Sequence, residues 1–195
     1  MRKRKKLPTV LEESEQKKLL SVPNKRYKTG HRNYVMIKLM LNTGLRLSEI
    51  INLKWKHVNQ NKCKLKVVEG KGAKDRFLCY NDKLNEELQQ WENRQTEEIG
   101  EQEYLFTTMS KNNSGNKLSQ RYVQQMLKRY TEKAGIDKNI SPHTLRHTFA
   151  TDFYSETKDI RKTQKALGHA DLSTTMIYTH IVDDELERSM KNFKT

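Results

Sequence analysis

Histidine, arginine and tyrosine recur in the last third of the chain at spacings suited to chemistry on an anion. His143 and Arg146 are three residues apart, so on a helix they share a face, while Leu145 and Phe149 share another. His147 follows Arg146 directly and is expected to point elsewhere. Gly168-His169 stands nine residues ahead of Tyr178, which lies in a Tyr-Thr-His run. Far upstream, Thr43-Gly-Leu-Arg-Leu-Ser-Glu49 places Arg46 at the start of a short helix, with Glu49 one turn on and suited to orient a guanidinium. Arginine offers planar, paired donors to oxyanions, histidine moves protons near neutral pH, and tyrosine is a nucleophile once its proton is removed. Taken singly, each has a plainer alternative: a solvated His/Arg face, a core tyrosine with its hydroxyl at the rim, and an ordinary ion pair.

Several elements must hold these residues. Ser141-Pro142 is a good helix start, a capping oxygen followed by a residue whose missing N–H leaves nothing unpaired. Leu145, Phe149 and Phe153 follow at four-residue spacing and should face the core. Asp159 is placed to cap a helix ending at Gly168, and Ser173 another that carries Met176 and Tyr178. Upstream, Thr9 and Glu12 have capping-box spacing, predicting a helix from about Val10 to Ser21. The polar stretch Asn24 to His31 reads as a loop. Tyr34, Ile37 and Leu41 then recur at helical spacing up to Gly44, and a short helix follows through Leu47, Ile50 and Ile51.

Between Lys62 and Tyr80 the period changes to two, with Gly70-Lys-Gly-Ala-Lys74 as the turn, which predicts a β-hairpin with a basic tip. Cys63 and Cys79 are expected to face each other across it, close enough to permit a bond but kept reduced in an intracellular setting. Leu84, Leu88 and Trp91 mark another helix, fraying around Glu97 to Glu103. Val123, Met126, Leu127, Tyr130 and Ala134 form a strong stripe between Ser119 and Gly135. The fold class expected is α+β, mainly helical, with one small antiparallel sheet.

Lys and Arg total 38 against 24 Asp and Glu, a net charge of +14 over 195 residues. Such a surplus favours a polyanionic partner, because each cation set against a phosphate releases a condensed counterion. No apolar run approaches the roughly 18 residues of a membrane span and no signal peptide is evident, so a cytoplasmic, nucleoid-associated protein is expected. The hairpin cations Lys74 and Arg76 are natural contacts for such a partner. No carboxylate cluster is suited to Mg²⁺ and no metal or other cofactor is expected.

The four blocks TGLRLSEI, GKGAKDR, HTLRHTFAT and LGHADLSTTMIYTH together resemble the tyrosine recombinase (phage integrase) family, in order and spacing, over nearly the whole chain from Leu7 onward. The resemblance implies a catalytic set of Arg46, Lys71, His143, Arg146, His169 and Tyr178, with Glu49 supporting Arg46. Tyr178 would attack a DNA phosphate, forming a 3′-phosphotyrosine bond and freeing a 5′ hydroxyl. An ordinary tyrosine has a pKa of about 10, so its proton needs a destination. The resemblance makes His143 that base, His169 a donor to the phosphate, and Lys71 the acid for the departing 5′ oxygen, with Lys74 sharing the same tip. Arg46 and Arg146 would clamp the non-bridging oxygens.

The expected partner is double-stranded DNA, bound by a dimer or tetramer of the chain. The expected organisation is a basic disordered tail over 1–8, a catalytic domain over 9–182 and a tail over 183–195. In that last segment Leu186, Met190 and Phe193 form a narrow stripe that either packs on its own body or docks onto a neighbouring protomer. Most relatives carry an additional helical clamp domain ahead of the first motif; its lack here is expected to reflect a naturally short member. His169 stands where some relatives have Trp. The competing functions are a DNA-binding regulator without catalysis and a DNA-relaxing enzyme of the type IB kind.

Overall fold

The structure of the chain, a computed structural model, describes residues 8–68, 75–110, 112–169 and 175–178. The described residues form a mainly helical α+β fold. Seven α-helices run in the order α1 (Glu13–Ser21), α2 (Lys28–Thr43), α3 (Leu47–Asn52), α4 (Asp82–Ile99), α5 (Gln120–Lys133), α6 (Pro142–Thr157) and α7 (Ile160–Leu167). Between α3 and α4 lie β1 (Val58–Asn59), β2 (Lys64–Val67) and β3 (Arg76–Cys79). They form a three-stranded antiparallel sheet in that order. The hairpin tip with Lys71 and Lys74, and the segment from 179 to 195, lie outside the described residues.

Helix α2 is the central element, packed against both α4 and α6. Val35, Met36, Ile37, Leu39 and Met40 are fully buried along it, among Leu84, Leu88 and Trp91 of α4 and Leu145 of α6. The Trp91 indole N–H donates to the Leu105 carbonyl at 2.8 Å, so the polar end of this large side chain is satisfied inside the core. Phe149, Ala150, Leu167 and Tyr178 form a second, smaller apolar cluster under the site.

Local chemistry accounts for most of the boundaries. Gly44 ends α2 in the left-handed conformation, φ 60°, with its N–H on the Met40 carbonyl. Ser119 caps α5 through the Tyr122 N–H, and Ser141 caps α6 through the Thr144 N–H. Asp159 caps α7, which stops at Gly168.

Three expectations need correction. Helix α1 begins at Glu13 rather than near Val10; the bond that closes its first turn runs from the Glu12 N–H to Glu15, not from Thr9. The Leu11 N–H instead donates to Thr148 Oγ1 at 2.9 Å, tying the segment to α6. Residues Lys28 to His31 belong to α2, and His31, Arg32 and Asn33 are buried. Arg32 donates to the Thr107 carbonyl and Asn33 and stacks over Tyr122, whose hydroxyl it also meets; Asn33 donates to Tyr130. Finally, the sheet register pairs Cys79 with Lys64, not with Cys63, which precedes β2 in the left-handed conformation, and the two thiols form no disulfide.

Candidate active site

Glu49 organises one side of the site. It lies in the first turn of α3, where its carboxylate accepts the Arg46 backbone N–H at 2.7 Å and the Arg46 guanidinium at 2.9 Å. It also takes both terminal nitrogens of Arg76, at 3.0 and 2.9 Å. Burial alone would raise the pKa of Glu49, but the bonds from Arg76 and then Arg46 overcome it and hold the carboxyl below its usual range. Arg76, expected as a DNA contact, is thus part of the arginine frame, with only 11% of its side chain exposed. Its inward direction follows from the period of β3, since it shares a face with buried Leu78.

Arg146 and Arg46 converge from different elements. Arg146, on α6 and only 4% exposed, donates to the Gly44 carbonyl at 2.6 Å and the Leu167 carbonyl at 2.8 Å. Arg46 donates to the Gly168 carbonyl at 3.2 Å. The two guanidiniums therefore end on consecutive carbonyls at the C-terminal end of α7, next to His169. Burial, then the neighbouring Arg46, lowers Arg146 to about 10, so it remains a cation at neutral pH. His169 Nδ1 lies 3.0 Å from Thr175 Oγ1, and burial together with Arg146 and Arg46 lowers its pKa to about 4.

Tyr178 sits in a 3-10 helical turn, Met176–Tyr178; Ser173, expected to cap a helix there, lies outside the described residues. The tyrosine is 1% exposed and packs with Phe149, Ala150 and Leu167. Burial pushes its hydroxyl up to about 12, against the pull of Arg146. The side chain bonded to that hydroxyl is His147, whose Nδ1 lies 2.8 Å from it. His147 was expected to point away. Its position four residues after His143 puts both rings on one face of α6, centroids 6.4 Å apart, and that spacing was the available signal. His143 itself is exposed and lines a cleft of about 440 Å³ with Arg46, Gln124, Lys128 and Arg146. Among the described residues no carboxylate lines that cleft, which suits it to an anion.

Among the described residues no group of three or more His, Cys, Asp or Glu is placed to hold a metal ion, and no helix is long and apolar enough to cross a membrane.

The sequence model of the Phage integrase family matches residues 9–185. The chain belongs to the phage integrase family. It is 37% identical over 183 residues to the tyrosine recombinase XerD of Ralstonia nicotianae, covering 92% of this chain and 58% of that relative. It is 40% identical over 185 residues to the tyrosine recombinase XerA of Pyrococcus furiosus, covering 95% of this chain and 62% of that one. Among solved structures, a crystal structure of XerA recombinase superposes with a TM-score of 0.82 at 31% identity, covering 98% of this chain and 67% of the other. The XerH site-specific recombinase, in a post-cleavage complex with its palindromic difH substrate, superposes with a TM-score of 0.79 at 32% identity, covering 97% and 54%. The chain thus spans about three-fifths of the length of the curated relatives it matches.

Proposed function

We propose that this family member is a site-specific recombinase that cuts and rejoins double-stranded DNA through a 3′-phosphotyrosine bond to Tyr178. The observation that carries the reading is the convergence of Arg46 and Arg146 on the consecutive carbonyls of Gly168 and Leu167, with the Arg146 charge acting on buried Tyr178. Two fixed guanidiniums gain most where negative charge grows, on the non-bridging oxygens as phosphorus becomes five-coordinate. His143 and His169 add N–H donors at the rim. Lys71, and failing it Lys74, protonates the 5′ oxygen as it leaves. The phosphotyrosine then keeps the bond in activated form, so a 5′ hydroxyl of another strand rejoins it without ATP.

The same reading makes the chain a dimer or tetramer on paired sites, with the stripe of Leu186, Met190 and Phe193 docking onto a neighbour. Support for DNA as partner comes from the net charge of +14 and the anion-suited cleft.

The deciding experiment uses duplexes selected from a random pool by binding to the Tyr178→Phe chain, nicked near the centre and incubated in EDTA with wild type and variant. A covalent protein–DNA band with wild type only, mapped to the Tyr178 peptide, is expected. A band that persists in Tyr178→Phe, or none with wild type on DNA it binds well, would overturn the reading.

A further inference from the structure

Arg32 is a buried cation without a buried anion. It lies in α2, 2% exposed, and its bonds go to the Thr107 carbonyl, the Asn33 side chain and the Tyr122 hydroxyl. Among the described residues no carboxylate meets it. Burial lowers its pKa, opposed by Tyr122 and Tyr130. A charge taken out of water without a counterion is costly, and an anion brought close offsets part of that cost.

Such an anion has a place to sit. A pocket of about 390 Å³ opens between the start of α2, the start of α5 and the segment 108–118. Arg32 and Lys117 line it with the hydroxyls of Thr29, Ser110, Ser119 and Tyr122, and among the described residues no carboxylate does. The Lys117 ammonium bonds Asn52 Oδ1 at 2.9 Å, a neutral partner that leaves its charge uncompensated. Ser119 Oγ accepts the Tyr122 N–H, so its own O–H is left to donate. The pocket also adjoins the cleft of the candidate active site. Ser119 lines the pocket, and the next residue, Gln120, lines the cleft with Arg46 and Arg146.

We propose that this pocket holds a second backbone phosphate of the bound DNA, distinct from the one that is cut, with Arg32 and Lys117 as its cations. This rests on the recombinase reading above and adds to it a contact that positions the duplex. A strand that crosses the first turn of α5 meets the arginine frame on one side and this pocket on the other. Phosphate contacts carry no sequence information themselves; they fix the register in which a protein sits on its site. The same donors would take inorganic phosphate, and the net charge of +14 together with the shared wall favours the DNA backbone.

The test uses the full Tyr178→Phe chain, expected to bind without cutting, and the selected duplexes with each backbone phosphate replaced in turn by a neutral methylphosphonate. One phosphate away from the cut should matter, its neutralisation weakening binding about tenfold. Lys117→Ala should remove most of that penalty, keep the penalty at the cut phosphate, and lower the salt slope of binding by about 1. Thr29→Glu sets a carboxylate at an exposed position on the pocket, where the start of a helix tolerates an acid. It should weaken binding of the natural duplex about tenfold and lose the same penalty. With ¹⁵N-labelled arginine, the Arg32 side-chain resonances should move on binding the natural duplex and stay in place with the methylphosphonate one. Penalties unchanged in both variants of a chain that binds DNA would overturn the proposal and leave the recombinase reading standing. Arg32 resonances that move with inorganic phosphate but not with duplex would assign the pocket to a free anion and overturn it too. A parent chain that binds no DNA would overturn both.

Discussion

Arg76 meets Glu49 end-on, each terminal nitrogen of the guanidinium on its own carboxylate oxygen, at 3.0 and 2.9 Å. The same carboxylate holds the backbone N–H and the guanidinium of Arg46, so one acid positions two arginines from different elements. Glu49 is 8% exposed at its side chain, and a buried acid with this many donors is hard to replace. We expect Glu49→Gln to destabilise the chain by about 3 kcal/mol, read by urea denaturation, because it leaves two cations facing a neutral amide. The pH dependence has a definite sign. The folded pKa of Glu49 lies below 4.5, so its contribution is present above that value and lost as pH falls through the folded pKa. Glu49→Gln should lack this component of the acid loss. An unaltered midpoint and acid profile would mean that the pair holds nothing in place.

Gly44 makes a second test of the frame. Its φ of 60° is strained for other residues, and a Cβ there would stand 2.3 Å from Phe149 Cδ1. Its carbonyl is one of the two that fix Arg146. Gly44→Ala should therefore lower stability by about 2 kcal/mol or more and reduce cleavage beyond what the stability loss explains. A variant of wild-type stability and rate would show that the Arg146 anchor tolerates movement.

Lys71 lies outside the described residues, and its role rests on the GKG pattern. Lys71→Ala should cleave ordinary DNA about 10²-fold or more slowly, as expected for loss of a general acid. A substrate with sulfur in place of the bridging 5′ oxygen leaves without protonation, and it should return the variant close to the wild-type rate. Rescue of Lys74→Ala instead would move the acid to that residue.

His169 should make the folded chain acid-sensitive. Its folded pKa near 4 lies below the ordinary 6.5, so between those values the unfolded chain binds the extra proton and the folded chain does not. Stability should fall as pH drops from 6.5 toward 4, and His169→Gln should show a shallower fall in thermal melts across that window. An equal slope would place the proton elsewhere.

What was legible in the sequence was mostly local. Ser141-Pro142 and Ser119 announce their helices, and the i, i+3 spacing of His143 and Arg146 puts both on the wall of one cleft. The α1 start was misplaced because acidic residues at 12, 13 and 15 give several capping-box registers, and the choice is made by Thr148, far away in sequence. The start of α2 was hidden for a similar reason. Lys28 to His31 read as loop by their polarity, and the polar residues that follow them, Arg32 and Asn33, are buried only because Tyr122 and Tyr130 of α5 satisfy them. The direction of His147 follows from its distance to His143 rather than to Arg146, and that of Arg76 from the strand face it shares with Leu78 rather than from its charge.

Arg146 is fixed by two backbone carbonyls, while Arg46 and Arg76 share one carboxylate, so these four residues gather three positive charges around a single negative one. Burial, and after it repulsion from Arg46, lowers the pKa of Arg146 within that imbalance. On the recombinase reading, a DNA phosphate seated there would offset that imbalance. Substrate would then act as a folding ligand: the chain should melt higher when loaded, and added salt should erode that gain by screening the same charges.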